Sequence, residues 1–92
     1  MQVKWVRRAL RNLEQAHAYI AQDDSAAAAR TIFKIQAAVR QLSSFPMMGR
    51  VGRAEGTREL VIANTSYFVV YRLQGSSVEI LRVLHASRRY PN

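Results

Sequence analysis

The sequence predicts an α+β fold in the order β-α-α-β-β-β, a helix hairpin packed on one face of a small, mostly antiparallel sheet. Three features of the pattern carry this. Apolar residues recur at helical spacing in two stretches between residues 9 and 42, separated only by Asp23-Asp24-Ser25. Beyond residue 57 the texture changes to short β-rich runs divided by Asn64-Thr65-Ser66 and Gln74-Gly75-Ser76-Ser77. Two helices with so short a connection fold back on each other, and their shared apolar side needs a sheet to cover.

Each element has its own signal. Val3 and Trp5 share a parity, so residues 2–6 read as a short strand. Leu10, Leu13, His17 and Ile20 mark one stripe of a first helix over 9–22, which makes His17 a structural residue. Asp23-Asp24-Ser25 supplies both a turn and an N-cap. Ala28, Ile32, Ile35, Val39 and Leu42 align a second helix over 25–42. Ser43, Ser44 and Pro46 end it, because Pro disfavours a helical residue before it. Residues 47–57 read as a loop carrying Gly49, Gly52 and Gly56, and residues 58–63 as β-rich. Residues 67–73 are apolar on both faces apart from Arg72, the mark of a central strand. A hairpin turn then leads into a last strand over 78–84. Trp5, Tyr67 and Tyr71 read as core or core-edge.

Ninety-two residues suit a single domain, 1–92, too short for two independent cores. An apolar share of 49% is ample for a globular fold, with modest stability that a bound partner would raise. No long apolar run is present, so no membrane span is expected, and residues 1–8 lack the apolar core of a signal peptide. Cysteine is absent, which excludes disulfides and thiolate sites and agrees with a reducing, cytoplasmic setting. The charge says more. Fourteen basic residues against six acidic ones give +8, and twelve of the fourteen are Arg, whose planar fork suits phosphate and carboxylate. Such a domain attracts nucleic acid or an acidic protein, although charge alone equally fits a solvated surface.

The candidate chemistry is sparse. His17 and His85 have no neighbour at ligand spacing, and no glycine-rich phosphate loop or nucleophile elbow occurs. Gly49-Arg50-Val51-Gly52-Arg53 reads either as an anion clasp or as a solvated turn. Arg58 shares parity with Leu60 and Ile62, so it either escapes the core at the strand's start or pairs with a carboxylate, while Glu59 points to the opposite face. His85 shares odd parity with Leu81 and Val83, as a packed side chain or as a general base. Arg88, Arg89 and Tyr90 form a terminal cluster fit for an anion or for solvent.

Several segments fall into a familiar order. The first helix ends in Ala18-Tyr19-Ile20-Ala21 and the second opens on Ala-rich sequence. Leu42-Ser43-Ser44-Phe45-Pro46-Met47-Met48-Gly49-Arg50 and Gly56-Thr57-Arg58-Glu59-Leu60 follow. Tyr67-Phe68-Val69-Val70-Tyr71-Arg72 and Ile80-Leu81-Arg82-Val83-Leu84-His85 complete the pattern. Over nearly the whole chain they resemble the RelE/ParE superfamily of type II toxins, and more closely its ParE branch. The resemblance implies one of two unlike activities. ParE-type members poison DNA gyrase without chemistry of their own. RelE-type members cut mRNA on the ribosome by promoting attack of a 2′-OH on the adjacent phosphate. The fold alone does not choose between them.

Departures from the nuclease pattern favour ParE. Phe68 stands where such nucleases commonly place Arg, the strand at 59–62 lacks a Lys pair, and Ala86 replaces a further Arg. A nuclease would be left with His85, Tyr90 and Arg58. The ParE reading implies no catalytic residue, no cofactor and no metal, with partner contacts at Arg50, Arg53, Arg88, Arg89 and Tyr90. Its partners would be a cognate antitoxin with an acidic amphipathic tail and DNA gyrase as target. Operator DNA would be reached only through the antitoxin, and no membrane is involved. The alternatives are a ribosome-dependent endoribonuclease acting on mRNA, or a non-toxic relative that only binds its antitoxin.

Overall fold

The computed structural model describes residues 1–87. Along them run β1 (Gln2–Trp5), α1 (Arg7–Ala21), α2 (Ser25–Gln41), β2 (Arg50–Val51), β3 (Arg58–Val61), β4 (Tyr67–Gln74) and β5 (Ser77–His85). The sheet order is β1-β5-β4-β3-β2, so the first strand lies beside the last. β1 pairs parallel to β5, with Trp5 opposite Ile80, and every other pair is antiparallel. The helix hairpin is the crossover that a parallel pairing requires.

α1 starts without a side-chain cap, because its N-cap residue Val6 has no side-chain acceptor; Val6 N–H instead bonds Ile80 O and fixes the helix start to β5. α2 is capped by Asp24, whose Oδ1 accepts from Ala27 N–H at 3.0 Å, as the sequence suggests. Beyond α2, Ser43 Oγ donates to Arg40 O at 3.0 Å and so satisfies one of the helix's terminal carbonyls. Between β3 and β4, Asn64 takes a φ of +62°, a conformation Asn tolerates. Gly75, at φ +59°, opens the two-residue turn joining Gln74 to Ser77.

The core lies between the hairpin and one sheet face. Ile35, Val39 and Leu42 meet Leu60, Ile62, Tyr67, Val69, Tyr71, Val78, Ile80 and Val83 there. The second helix has the phase its sequence predicts. The first is rotated from it: Leu10 is 46% exposed and His17 is also exposed, while Ala9 and Ala16 are buried and Leu13 and Ile20 half-buried. The structural role expected for His17 is therefore withdrawn. Ala is what permits close approach of α1 to α2 and β5, so the contact stripe is carried by small residues that a search for large apolar ones passes over. The expected loop at 47–57 also contains β2, which pairs Arg50 with Glu59 and Val51 with Arg58. A further difference lies in β5. A bulge between Val70 and Tyr71 leaves Leu81 as the extra residue, so Val83 and His85 share a face with Val78 and Ile80, not with Leu81.

Candidate functional site

The sheet face away from the helices carries a row of side chains in register: Arg50 on β2, Glu59 on β3, Val70 on β4 and Arg82 on β5. Glu59 is only 2% exposed. A buried carboxylate is tolerated when charged donors surround it. Arg50 Nη2 donates to Oε1 at 3.0 Å, while the Arg53 backbone N–H and Nε reach Oε2 at 3.1 and 3.3 Å. Burial pushes the Glu59 pKa up, but the Arg53 N–H, the Arg50 hydrogen bond and the two guanidinium charges outweigh it and hold the carboxyl below its ordinary value.

Both arginines keep half of their side chains in solvent, 59% for Arg50 and 51% for Arg53. Arg53 also lies over the Phe68 ring, 5.4 Å from Cζ to its centroid. One negative charge thus orients two half-exposed positive ones, leaving a net positive pair at the surface. Arg82 is oriented from the other side. Asn12 Oδ1 accepts from Arg82 Nε at 3.0 Å and from Val83 N–H at 3.2 Å. The Val83 amide lies past the end of the β1–β5 pairing, so Asn12 of α1 stands in for a missing strand. The result is a preorganised cationic surface suited to carboxylate or phosphate.

Arg58 is placed differently. Among the described residues it pairs with no carboxylate: its Nη1 donates to Gly49 O at 2.7 Å and to Met47 O at 3.4 Å. Tyr71 works beside it, its hydroxyl donating to Pro46 O at 2.8 Å and accepting from Gly49 N–H at 2.9 Å. Arg58 and Tyr71 are cross-strand partners, so one pair of neighbours fixes the whole turn after α2.

His85 lies on the helix side. Its ring meets Tyr67 edge to face at 5.1 Å, in a recess shared with Tyr19, Ile20 and Thr31. Nδ1 accepts from Ser87 N–H at 3.2 Å, with Ser87 Oγ at 2.7 Å, so the neutral ring carries its proton on Nε2. Of the residues considered for cleavage, Arg58 and His85 are not brought together. Arg58 pairs with Tyr71 and His85 with Tyr67, four residues apart along β4 or roughly 13 Å. Tyr90, Arg88 and Arg89 lie outside the described residues. Among the described residues no group of three or more potential ligand side chains is close enough to hold a metal, and no helix is long and apolar enough to cross a membrane.

Of the residues singled out in the sequence, Arg50 and Arg53 do come together. Glu59, which holds them in place, and Asn12, which holds Arg82, were not recognised. For Glu59 a signal existed: a lone carboxylate inside a β-rich run between arginines needs a partner if buried. For Asn12 there was none.

A helix hairpin on a mixed five-stranded sheet, with arginines ordered on its open face, defines a small basic α+β domain. Comparison with known proteins gives its family. Residues 3–90 match the family described as the ParE toxin of the type II toxin-antitoxin system, parDE. The chain belongs to this family of toxins. It is 46% identical over 89 residues to the protein Y4kP of Sinorhizobium fredii, covering 97% of this chain and 92% of that one. It is 36% identical over 87 residues to toxin RelE2 of Caulobacter vibrioides, covering 95% and 97%. Among solved structures, the chromosomal ParDE TA system from P. aeruginosa matches with a TM-score of 0.84 at 23% identity, covering 95% and 97%. The YoeB/ParE toxin from Agrobacterium tumefaciens matches with a TM-score of 0.65 at 22% identity, covering 92% and 98%. These two establish likeness of fold.

Proposed function

We propose that this toxin acts by binding DNA gyrase and inhibiting it, without bond-breaking chemistry of its own, and that an acidic cognate antitoxin neutralises it. One observation carries the reading. The imidazole of His85 and the arginines Arg50, Arg53 and Arg82 lie on opposite faces of the sheet. In-line cleavage needs a base and the charge that stabilises the phosphorane at one phosphate, within hydrogen-bond reach. Here His85 faces the helices while Arg50, Arg53 and Arg82 face away, and Arg58, which shares the face of His85, is held roughly 13 Å along β4 by its bonds to Gly49 O and Met47 O. The position after Tyr67 also supports this, because Phe68 is 3% exposed and offers a ring in place of a donor. What is left on the open face is a binding surface.

The test is purified protein in a gyrase supercoiling reaction and, separately, on translating ribosomes. Inhibition of supercoiling is expected, with His85→Ala retaining it and Arg53→Glu weakening it by about tenfold or more, each variant checked for folding by circular dichroism. Intact supercoiling beside mRNA cut at codon boundaries, abolished in a folded His85→Ala protein, would overturn the reading.

A further inference from the structure

The turn after α2 is unusually apolar for a surface. Phe45, Met47 and Met48 are 64%, 59% and 42% exposed. They line a shallow depression together with Pro46. Val51, which faces Arg58 across the β2–β3 ladder, is 79% exposed and extends the apolar stretch. A turn with no purpose beyond connection would carry polar residues here.

The backbone beneath these side chains is fixed. Tyr71 bonds Pro46 O and Gly49 N–H, Arg58 bonds Met47 O and Gly49 O, and Met48 N–H bonds Phe45 O. Gly49 is closed to any larger residue, since a Cβ there would lie 2.7 Å from the Tyr71 ring and 2.9 Å from Glu59 O. A buried tyrosine and an arginine are thus spent on presenting apolar groups outward. Two of those groups are methionines, whose flexible thioethers adapt to a partner's contour.

We propose that residues 45–48, with Val51, form the docking surface for the apolar face of an acidic amphipathic segment of the antitoxin. The proposal rests on the antitoxin reading above and gives it a location. Charge selects the occupant. From Arg40 to Arg58 the chain holds four arginines, Arg40, Arg50, Arg53 and Arg58, against one carboxylate, Glu55, besides the buried Glu59. A second copy of this chain would bring the same excess of positive charge to the contact and be repelled. A segment with large apolar residues flanked by carboxylates matches both halves of the surface, apolar groups for affinity and arginines for rate and selectivity.

The probe is the antitoxin encoded beside this chain, titrated into purified toxin by calorimetry. Tight binding to the unaltered chain comes first; its absence removes the antitoxin reading and the proposal together. Given binding, Met47→Glu with Met48→Glu is expected to weaken it by about 30-fold or more. Leu73→Glu, an exposed apolar site in β4 away from the turn, is expected to leave it within about twofold. Independently of any substitution, the methyl signals of 13C-labelled Met47 and Met48 in the unaltered chain should shift on complex formation. Unchanged affinity in the folded double variant, or unmoved methionine signals in a saturated complex, would overturn the location while leaving the antitoxin reading intact. Loss of gyrase inhibition with antitoxin affinity preserved would reassign the surface to the target and likewise overturn the proposal.

Discussion

Glu59 and Arg50 face each other directly across the β2–β3 ladder, joined at 3.0 Å, yet one is 2% exposed and the other 59%. The pair spans the boundary between interior and solvent. Its carboxylate end has given up water and depends on donors, while its guanidinium end is free to meet a partner. The energetic weight of the site therefore rests on the acidic residue, while the proposed partner contact falls to the basic ones.

Glu59→Gln keeps the shape and removes the charge, so it should lower stability by about 1–2 kcal/mol at pH 7, as read by urea unfolding. Because the folded-state pKa lies below the ordinary glutamate value, the carboxylate's contribution is complete above that value, about 4.3, and is lost as pH falls through the lower folded pKa. The gap between the native chain and the variant should close in that acid window. A constant gap from pH 7 to pH 2 would show that the charge is not what stabilises the clasp.

Gly49→Ala should destabilise by about 1–3 kcal/mol, because the new methyl meets the Tyr71 ring and the Glu59 carbonyl. Tyr71→Phe should cost about 1–3 kcal/mol by stripping partners from Pro46 O and Gly49 N–H. The double variant should cost less than the sum, since both act on one contact. Full additivity in denaturant titrations would separate the two residues.

Ile35→Ala should cost about 2–5 kcal/mol, because the side chain is fully buried. Leu10→Ala should fall within about 0.5 kcal/mol, despite the identical loss of an aliphatic side chain from a helix. Thermal unfolding of the two variants side by side reads the phase of each helix, and a large loss from Leu10→Ala would place α1 wrongly.

Asn12→Ala should leave the Val83 amide without its acceptor and Arg82 without its anchor. The expected loss is about 1–3 kcal/mol, with faster hydrogen exchange at Val83 than at Val69, which stays paired within the sheet. Unchanged exchange at Val83 would mean that another group satisfies it.

What could be read from the sequence followed from periodicity. The second helix, with Ile35, Val39 and Leu42 as large residues at regular spacing, reported its buried face directly. The first helix did not, because Ala9 and Ala16 carry its closest contacts and Ala is indifferent to burial in a pattern. The four longer strands were visible as β-rich runs. β2 was not, since two residues, Arg50 and Val51, give no period at all. Parity misled at His85 because a bulge opposite Val70 and Tyr71 inserts a residue that no local signal announces. Arg50 and Arg53 were identified through charge and glycine spacing. The carboxylate that orients them needed the fold, because the contact between Arg53 and Glu59 depends on how the turn between β2 and β3 closes.

The lateral pairing of β1 with β5 has a consequence for the order of events during synthesis. Residues 2–5 leave the ribosome ahead of residues 77–80 and have no strand neighbour until these are made. At about 5–20 residues per second, that interval is roughly 4–15 s. Over the same time α1 can pack on α2 but lacks its sheet support, because Val83 and the rest of β5 do not yet exist. β2, β3 and β4 can pair locally in sequence, but the β1 edge is set only once β5 is made. Such long-range closure is slow relative to local pairing, so the nascent toxin passes through a period in which its sheet is narrow and its first helix packs on α2 alone.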